Sequence, residues 1–431
     1  MLLPGILLVL IAAFGAPLFV VLGGLAWLLF HAVEIDPAAI IIELYRLASA
    51  PTLLTIPLFT FAGYVLAASQ APQRLVRCTR ALVGWLPGGL ALVALCSCAF
   101  FTAFTGASGV TIVALGGLLL PLFLHEQYPE RFSLGLLTTC GSLGLLFPPS
   151  LPIILYGLVA HTSIDLLFLA GCIPGLLLMG LLALFSVRQA WRAGVPVHRG
   201  AWAEVWPALW EAKWELALPV LILVGIYGGL VTVNEAALVT AAYSLLVTVG
   251  IHRDLHLWRD VPHLMTQSMI IVGAIIIILG TALGLTSYLV DAQVPMHLLA
   301  AMQQHLTSRA AFLLALNVLL LLVGCLMDIF SAIIIVVPLI TPIAAQFDVH
   351  PLHLGIIVLT NLEIGYSTPP VGLNLFLGSL RFERPITQLY RASWPFLLVL
   401  LLALGLITYI PDLSLGLVRL LGYAEGPLGL R

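Results

Sequence analysis

The sequence predicts an all-α, polytopic membrane protein arranged as an inverted-topology repeat. Three observations carry this. Of 431 residues, 61% are hydrophobic and only 8% are charged, whereas soluble chains run at about 25% charged. Apolar stretches of the roughly 20 residues that one bilayer crossing needs recur from end to end. A double-proline motif occurs twice, 221 positions apart, at corresponding places in the two halves.

The first apolar run, from Met1, has no positively charged start and no small-residue cleavage site. It reads as a retained span rather than a signal peptide. Further spans are predicted near 51–69, 131–160, 165–187, 216–234, 236–251, 264–290, 353–380 and 392–410, after a first at 4–30. Two other apolar regions, 86–124 and 309–346, are interrupted: by Thr105-Gly106-Ala107-Ser108-Gly109 in the first, and by Met327-Asp328-Ile329-Phe330-Ser331 in the second. Each is either two crossings or a re-entrant hairpin with its tip at mid-membrane.

Basic residues orient the chain. With a cytoplasmic N-terminus, only Arg46, Arg309, Arg419 and Arg431 fall outside; the other arginines and Lys213, the one lysine, fall inside. This is the bias of the positive-inside rule. It is the same for hairpins and for double crossings, so it does not separate them. Trp202, Trp206, Trp210 and Trp214 recur every four residues, with Glu204, Glu211, Lys213 and Glu215 on other flanks. Such a stripe suits a helix lying flat against membrane lipid, and Pro207 is expected to kink it. The formal net charge of -2 offers nothing to nucleic acid. The cysteines at 78, 96, 98, 140, 172 and 325 sit mostly in apolar runs with no CxxC, and read as small helix residues rather than metal ligands or disulfides.

The repeat is specific. Gly144-Leu145-Leu146-Phe147-Pro148-Pro149 returns as Gly365-Tyr366-Ser367-Thr368-Pro369-Pro370. Pro129 precedes the first by 19 residues and Pro351 the second by 18, each in a polar loop, and each motif follows an interrupted apolar region. The halves share the order span, span, interrupted region, broken span, span. The odd span 216–234 between them turns the second half upside down. Adjacent prolines remove two N–H donors and stop a helix. Broken backbone at membrane depth must face protein or a water-filled cavity. In secondary transporters such breaks form the mid-membrane site, with free carbonyls for cations and half-helix N-termini for anions.

Charges within spans are functional candidates. Asp328 sits at the second tip, as a site residue or a helix N-cap; Glu363 sits just before the second break, in a site or bonded to broken backbone. Thr105, Ser108 and Thr368 offer neutral oxygens beside the breaks, suited to a hard monovalent cation. Glu235, between two spans, reads as a turn or cap residue. Gly106-Ala107-Ser108-Gly109 resembles the GxSG nucleophile motif of rhomboid intramembrane proteases, but Ile164 stands where an AHxxG motif around His161 would need glycine. There is neither HExxH nor Walker A sequence, so metalloprotease chemistry and ATP hydrolysis are not expected.

Over nearly its whole length the chain resembles the large membrane subunit of tripartite ATP-independent periplasmic (TRAP) transporters. The resemblance is carried by Thr105–Gly175, with Tyr128-Pro129-Glu130-Arg131-Phe132 and the first double proline; by Gly225-Ile226-Tyr227-Gly228-Gly229 with Asn234-Glu235; and by Gly355–Gly378, with Glu363-Ile364-Gly365 and Pro369-Pro370-Val371-Gly372-Leu373-Asn374. It implies two re-entrant hairpins and an elevator-type fold of the ion-transporter superfamily. The scaffold would be residues 1–85 and 201–308, and the moving transport domain 86–200 and 309–431. It implies a bacterial inner-membrane location and sodium as coupling ion, with no other cofactor. Thr105, Ser108, Gly144 and Phe147 would hold one sodium; Gly324, Gly365 and Thr368 another. Ser108, Asp328, Pro149, Pro370 and Asn374 would border the substrate, an organic acid such as a C4-dicarboxylate. Its expected partners are a periplasmic binding protein and a small four-span membrane subunit on a separate chain. The chain departs from the family in its less serine-rich first tip, and in Thr232-Val233-Asn234-Glu235 where Thr-Pro-Thr-Glu is common. A stand-alone carrier of the wider divalent-anion superfamily is the alternative reading.

Overall fold

The computed structural model describes residues 16–49, 51–195, 202–293 and 308–422. Residues 4–15 of the first predicted span, Arg199 and Arg431 lie outside them. Backbone in lipid must satisfy its own hydrogen bonds, and the apolar runs accordingly fold as helices; no strand occurs among the described residues. The first half comprises α1 (Leu18–Ala32), α2 (Ala38–Ala48), α3 (Thr55–Ala68), α4 (Ala71–Val83), α5 (Gly89–Thr105), α6 (Ser108–His125), α7 (Glu130–Cys140), α8 (Leu151–Val159) and α9 (Ile164–Arg192). Two connecting helices follow, α10 (Trp202–Glu211) and α11 (Lys213–Tyr227). The second half comprises α12 (Val233–Ile251), α13 (Asp260–Asp291), α14 (Arg309–Leu326), α15 (Ile329–Gln346), α16 (Pro351–Gly365), α17 (Leu373–Phe382), α18 (Ile386–Tyr409) and α19 (Asp412–Leu420).

Both predicted breaks are present. Span 131–160 divides into α7, a 3-10 turn at Leu143–Leu146 and α8, bent by 48°. Span 353–380 divides into α16 and α17, and both Pro-Pro bonds are cis. The interrupted regions are helix pairs, α5/α6 and α14/α15. In the first, Thr102 Oγ1 and Thr111 Oγ1 lie 2.7 Å apart. On one continuous helix these positions would be about 13 Å apart along the axis, so the chain reverses between them. Glu235 is a cap: its carboxylate accepts from the Thr232 N–H (2.8 Å), and the Thr232 hydroxyl accepts from the Glu235 N–H.

Partners are exchanged between the halves. α12 packs on α3 as α13 packs on α1; α8 packs on α15 as α17 packs on α6; α18 packs on α7 as α9 packs on α16. Each pair is the other's counterpart in the repeat, which is the pattern of a pseudo-twofold axis.

The tryptophan helix differs from expectation. It runs through Pro207 and stops at Glu211; a break at Ala212 puts Trp214 on α11. Trp206 and Trp210 are exposed, and the Lys213 Nζ sits 3.5 Å from the centre of the Trp210 ring, a cation–π contact. Glu215, read as lying off the tryptophan flank, is buried. It accepts from Arg74 Nε at 2.6 Å, while the Arg74 Nη2 donates to Asp254 at 2.7 Å. Helices α2, α4 and α19 were not predicted. α4 is polar enough to have read as a loop, and its arginines fasten it: Arg77 to Glu211, Arg80 to Glu126.

The Arg74 cluster predicts a large loss of stability. Arg74→Leu would leave the buried Glu215 and half-buried Asp254 with only His252, 3.7 Å from Glu215, as a possible counter-charge, a cost of about 3–5 kcal/mol. A clearly lowered melting temperature of the purified protein is expected; an unchanged one would show the cluster to be dispensable. Burial alone would push the Asp254 carboxyl up, but its bonds from Arg74 and the Gln70 N–H outweigh this and hold it below the usual carboxylate range. A depressed carboxyl stabilises the fold above its unfolded pKa, about 3.9. That stability is lost as pH falls through the lower folded value, so acid melting should be weaker in Arg74→Leu.

Candidate functional site

The first hairpin tip is built by glycine and threonine. α5 ends at Gly106, whose φ of 62° is a left-handed conformation that glycine adopts at no steric cost. Ala107 then caps α6. Thr102 Oγ1 donates to the Gly141 carbonyl at 2.8 Å. Its single proton is thereby used, so Thr111 is the donor to Thr102. These two threonines join both arms of the hairpin to the carbonyl left free where α7 ends. At the second tip Asp328 caps α15: its carboxylate accepts from the Ser331 N–H (3.0 Å) and hydroxyl (2.5 Å). The Tyr366 hydroxyl accepts from the Ile329 N–H at 2.6 Å, and the Gly372 N–H donates to the Cys325 carbonyl. Here too the tip is bonded to the break.

Of the expected first cation site, Thr105, Ser108 and Gly144 are buried, and the Ser108 Oγ has no hydrogen-bond partner. Gly144 lies directly against the backbone of Ala99–Ala103, and the Phe147 N–H donates to its carbonyl. A buried hydroxyl with no protein partner is an unused hard oxygen donor. Of the second, Gly324 and Gly365 touch backbone to backbone, and the Thr368 hydroxyl donates to the Ile364 carbonyl.

A cavity of about 640 Å³ lies at the two tips. Gly106, Ala107, Ser108 and Gly109 line it with Asp328, Ile329, Phe330 and Tyr366; Tyr64, Ala67, Ala68, Leu264, Gln267 and Ile271 form the facing wall. Asp328 is exposed into it and is its one formal charge among the described residues. Ser108 and Asp328 are thus brought together. The other three expected substrate residues are not among its lining: Pro149 is buried, Pro370 is exposed elsewhere, and Asn374 is fully buried with both side-chain polar atoms unpartnered. Thr102, Thr111 and Tyr366 were not singled out in the sequence; hydroxyl residues flanking an interrupted apolar run were the available signal. His161 lines a separate cavity, so Ser108 has no histidine base beside it among the described residues.

A model of the family described as "Tripartite ATP-independent periplasmic transporter, DctM component" matches residues 5–413. The chain belongs to this family. It is 33% identical over 432 residues to the C4-dicarboxylate TRAP transporter large permease protein DctM of Rhodobacter capsulatus, covering 96% of this chain and 98% of that one. It is 35% identical to the protein of that description in Pseudomonas aeruginosa, over 93% of each chain, and 31% identical to the ectoine/5-hydroxyectoine large permease UehC of Ruegeria pomeroyi, over 84% and 85%. The solved structure of the YdaH transporter of Alcanivorax borkumensis shares the fold, with a TM-score of 0.62 and 17% identity over 97% of this chain and 98% of that one. The chain is therefore a large TRAP permease subunit of secondary transport. Seven described helices are long and apolar enough to cross a membrane, as befits a multi-pass inner-membrane protein.

Proposed function

We propose that this permease imports an organic acid together with sodium, by an elevator movement of residues 86–200 and 309–431 against a scaffold of residues 1–85 and 201–308. The observation that carries this is the cavity between the two groups: both hairpin tips form one wall, and α3 with α13 the other. The seam between the groups runs where α3 meets α5 and α13 meets α15. Tyr64, Ala67 and Ala68 lie at the end of α3, and Leu264 and Gln267 at the start of α13. The arginine bias puts both ends on the cytoplasmic side, so this is a cytoplasm-facing arrangement. Alternate access then requires the tips to move outward past α3.

The cavity has no cationic side chain among its described residues. Attraction for a carboxylate would come from the N-termini of α6 and α15 at the tips and from sodium ions held behind them. A periplasmic binding protein would deliver the substrate, and a small four-span subunit would complete the scaffold. The test is uptake into proteoliposomes containing all three proteins. Uptake should require sodium; equal uptake in potassium would end the coupling claim. Uptake by this chain alone would instead select a stand-alone carrier. Thr368→Ala should raise the sodium concentration needed for half-maximal uptake by about tenfold, the worth of one hydrogen-bond-scale contact. An unchanged sodium dependence would count against the second cation site.

A further inference from the structure

Glu363 is the most anomalous side chain in the fold. It is 1% exposed on α16, and neither carboxylate oxygen has a hydrogen-bond partner. Withdrawing an unpaired carboxylate from water costs several kcal/mol even after relaxation. A buried orphan of this kind calls for a missing ligand. Its neighbours share the defect. Thr360 and Ser367 are equally buried, and their hydroxyl oxygens are also unpartnered. Residues three and four apart lie on one helix flank. The turn continues past the end of α16, since the Tyr366 and Ser367 N–H groups donate to the Leu362 and Ile364 carbonyls. One flank therefore carries four unused oxygens over two turns.

Among the described residues no side chain supplies the missing charge. The one buried basic residue besides His353 among the described residues is Arg74, and it is bound to Glu215 and Asp254. His353 faces Ser414 and the Thr408 carbonyl. Asn361, on another flank, is bonded to Asn317. The repeat sharpens the point. The 221-residue offset pairs Glu363 with Ser142 and Thr360 with Thr139, and Ser142 settles its hydroxyl on the Thr139 carbonyl. The fold thus needs no acid at this position, yet one half carries it. Meanwhile α16 packs against the 3-10 turn of the first break, so the acid lies deep among the broken helices, two residues before the Gly365 that touches Gly324 at the second tip.

We infer that Thr360, Glu363 and Ser367 form a further site for a monovalent cation, of the sodium class, distinct from the two at the hairpin tips. One carboxylate and two hydroxyls are a hard oxygen set, and the cation supplies the charge that the protein withholds. This inference rests on the sodium-coupling reading, and the following experiment tells the two apart.

The full-length protein is melted across a sodium chloride series, with choline chloride holding ionic strength constant. The slope of melting temperature against the logarithm of sodium concentration reports the number of ions bound by the folded state. Wild type should be stabilised by sodium, and Glu363→Gln should lower that slope by about a third, the loss of one ion in three. Thr360→Val and Ser367→Ala keep the carboxylate, and should each shift the sodium midpoint upward about tenfold; they decide the matter if Glu363→Gln does not fold. A wild type indifferent to sodium would overturn the coupling itself. A sodium-responsive wild type whose variants keep its slope and midpoint would overturn this site alone. So would a Glu363→Gln protein that loses only a pH dependence of melting, since the carboxyl would then carry a proton.

Discussion

Asp328→Ala is expected to cut uptake by about 10- to 100-fold while the chain still inserts and folds. The carboxylate is the cavity's one formal charge among the described residues, and stands at the tip of the second hairpin. Losing one charge-assisted contact costs about 1.5–3 kcal/mol, a drop of about 10- to 100-fold. Its other duty is modest: capping α15 through Ser331, a role whose loss costs about 1 kcal/mol. Folding should survive that. Asp328→Asn separates the two duties, because asparagine caps as well as aspartate. Uptake lost in both variants assigns the charge to transport. Recovery in Asp328→Asn assigns only the cap, and near-normal uptake by Asp328→Ala would remove the residue from the site.

The second large effect is expected at the glycines where hairpin meets break. A Cβ on Gly144 would lie 2.3 Å from the Ala99 carbonyl oxygen and 2.4 Å from the Ala103 nitrogen. A Cβ on Gly365 would lie 2.6 Å from the Gly324 carbonyl carbon. These obstacles are backbone atoms, which cannot swing aside as a side chain can. Overpacking of this kind costs about 1–3 kcal/mol, occasionally more. Gly144→Ala and Gly365→Ala should each lower the melting temperature and the uptake rate together, by prising a tip from its broken helix. Gly180, with nothing within 4 Å, is the control; its alanine variant should match wild type in both. Normal melting and uptake in Gly144→Ala would mean that the tip and the break do not need this close approach.

Much of this architecture was legible in the residues because it follows from local properties. Apolar length dictates crossing, and arginine placement dictates orientation. Missing proline N–H groups dictate where the spans at 148–149 and 369–370 break. The matched offset of those breaks exposes the repeat. Where the reading fell short, the cause is also physical. α4 reads as a loop because its arginines satisfy partners in other segments, and the Trp214 stripe ignores a break at Ala212 that no residue type announces. Pro149, Pro370 and Asn374 belong to the right motifs, yet are not among the lining of the cavity beside which those motifs come together.

What the chain's order of residues settled, then, is a membrane-embedded inverted repeat with two broken spans and two tips. Tertiary structure alone decided that the tips share one cavity, that Thr102 ties to Gly141 and Ile329 to Tyr366, that Arg74 holds Glu215, and that the buried Glu363 carboxylate has no side-chain or backbone partner among the described residues. The first set rests on periodicity, length and proline chemistry within a few turns of helix. The second depends on which distant segments meet, and a hydroxyl or carboxylate has no role until the fold supplies its partner or withholds one.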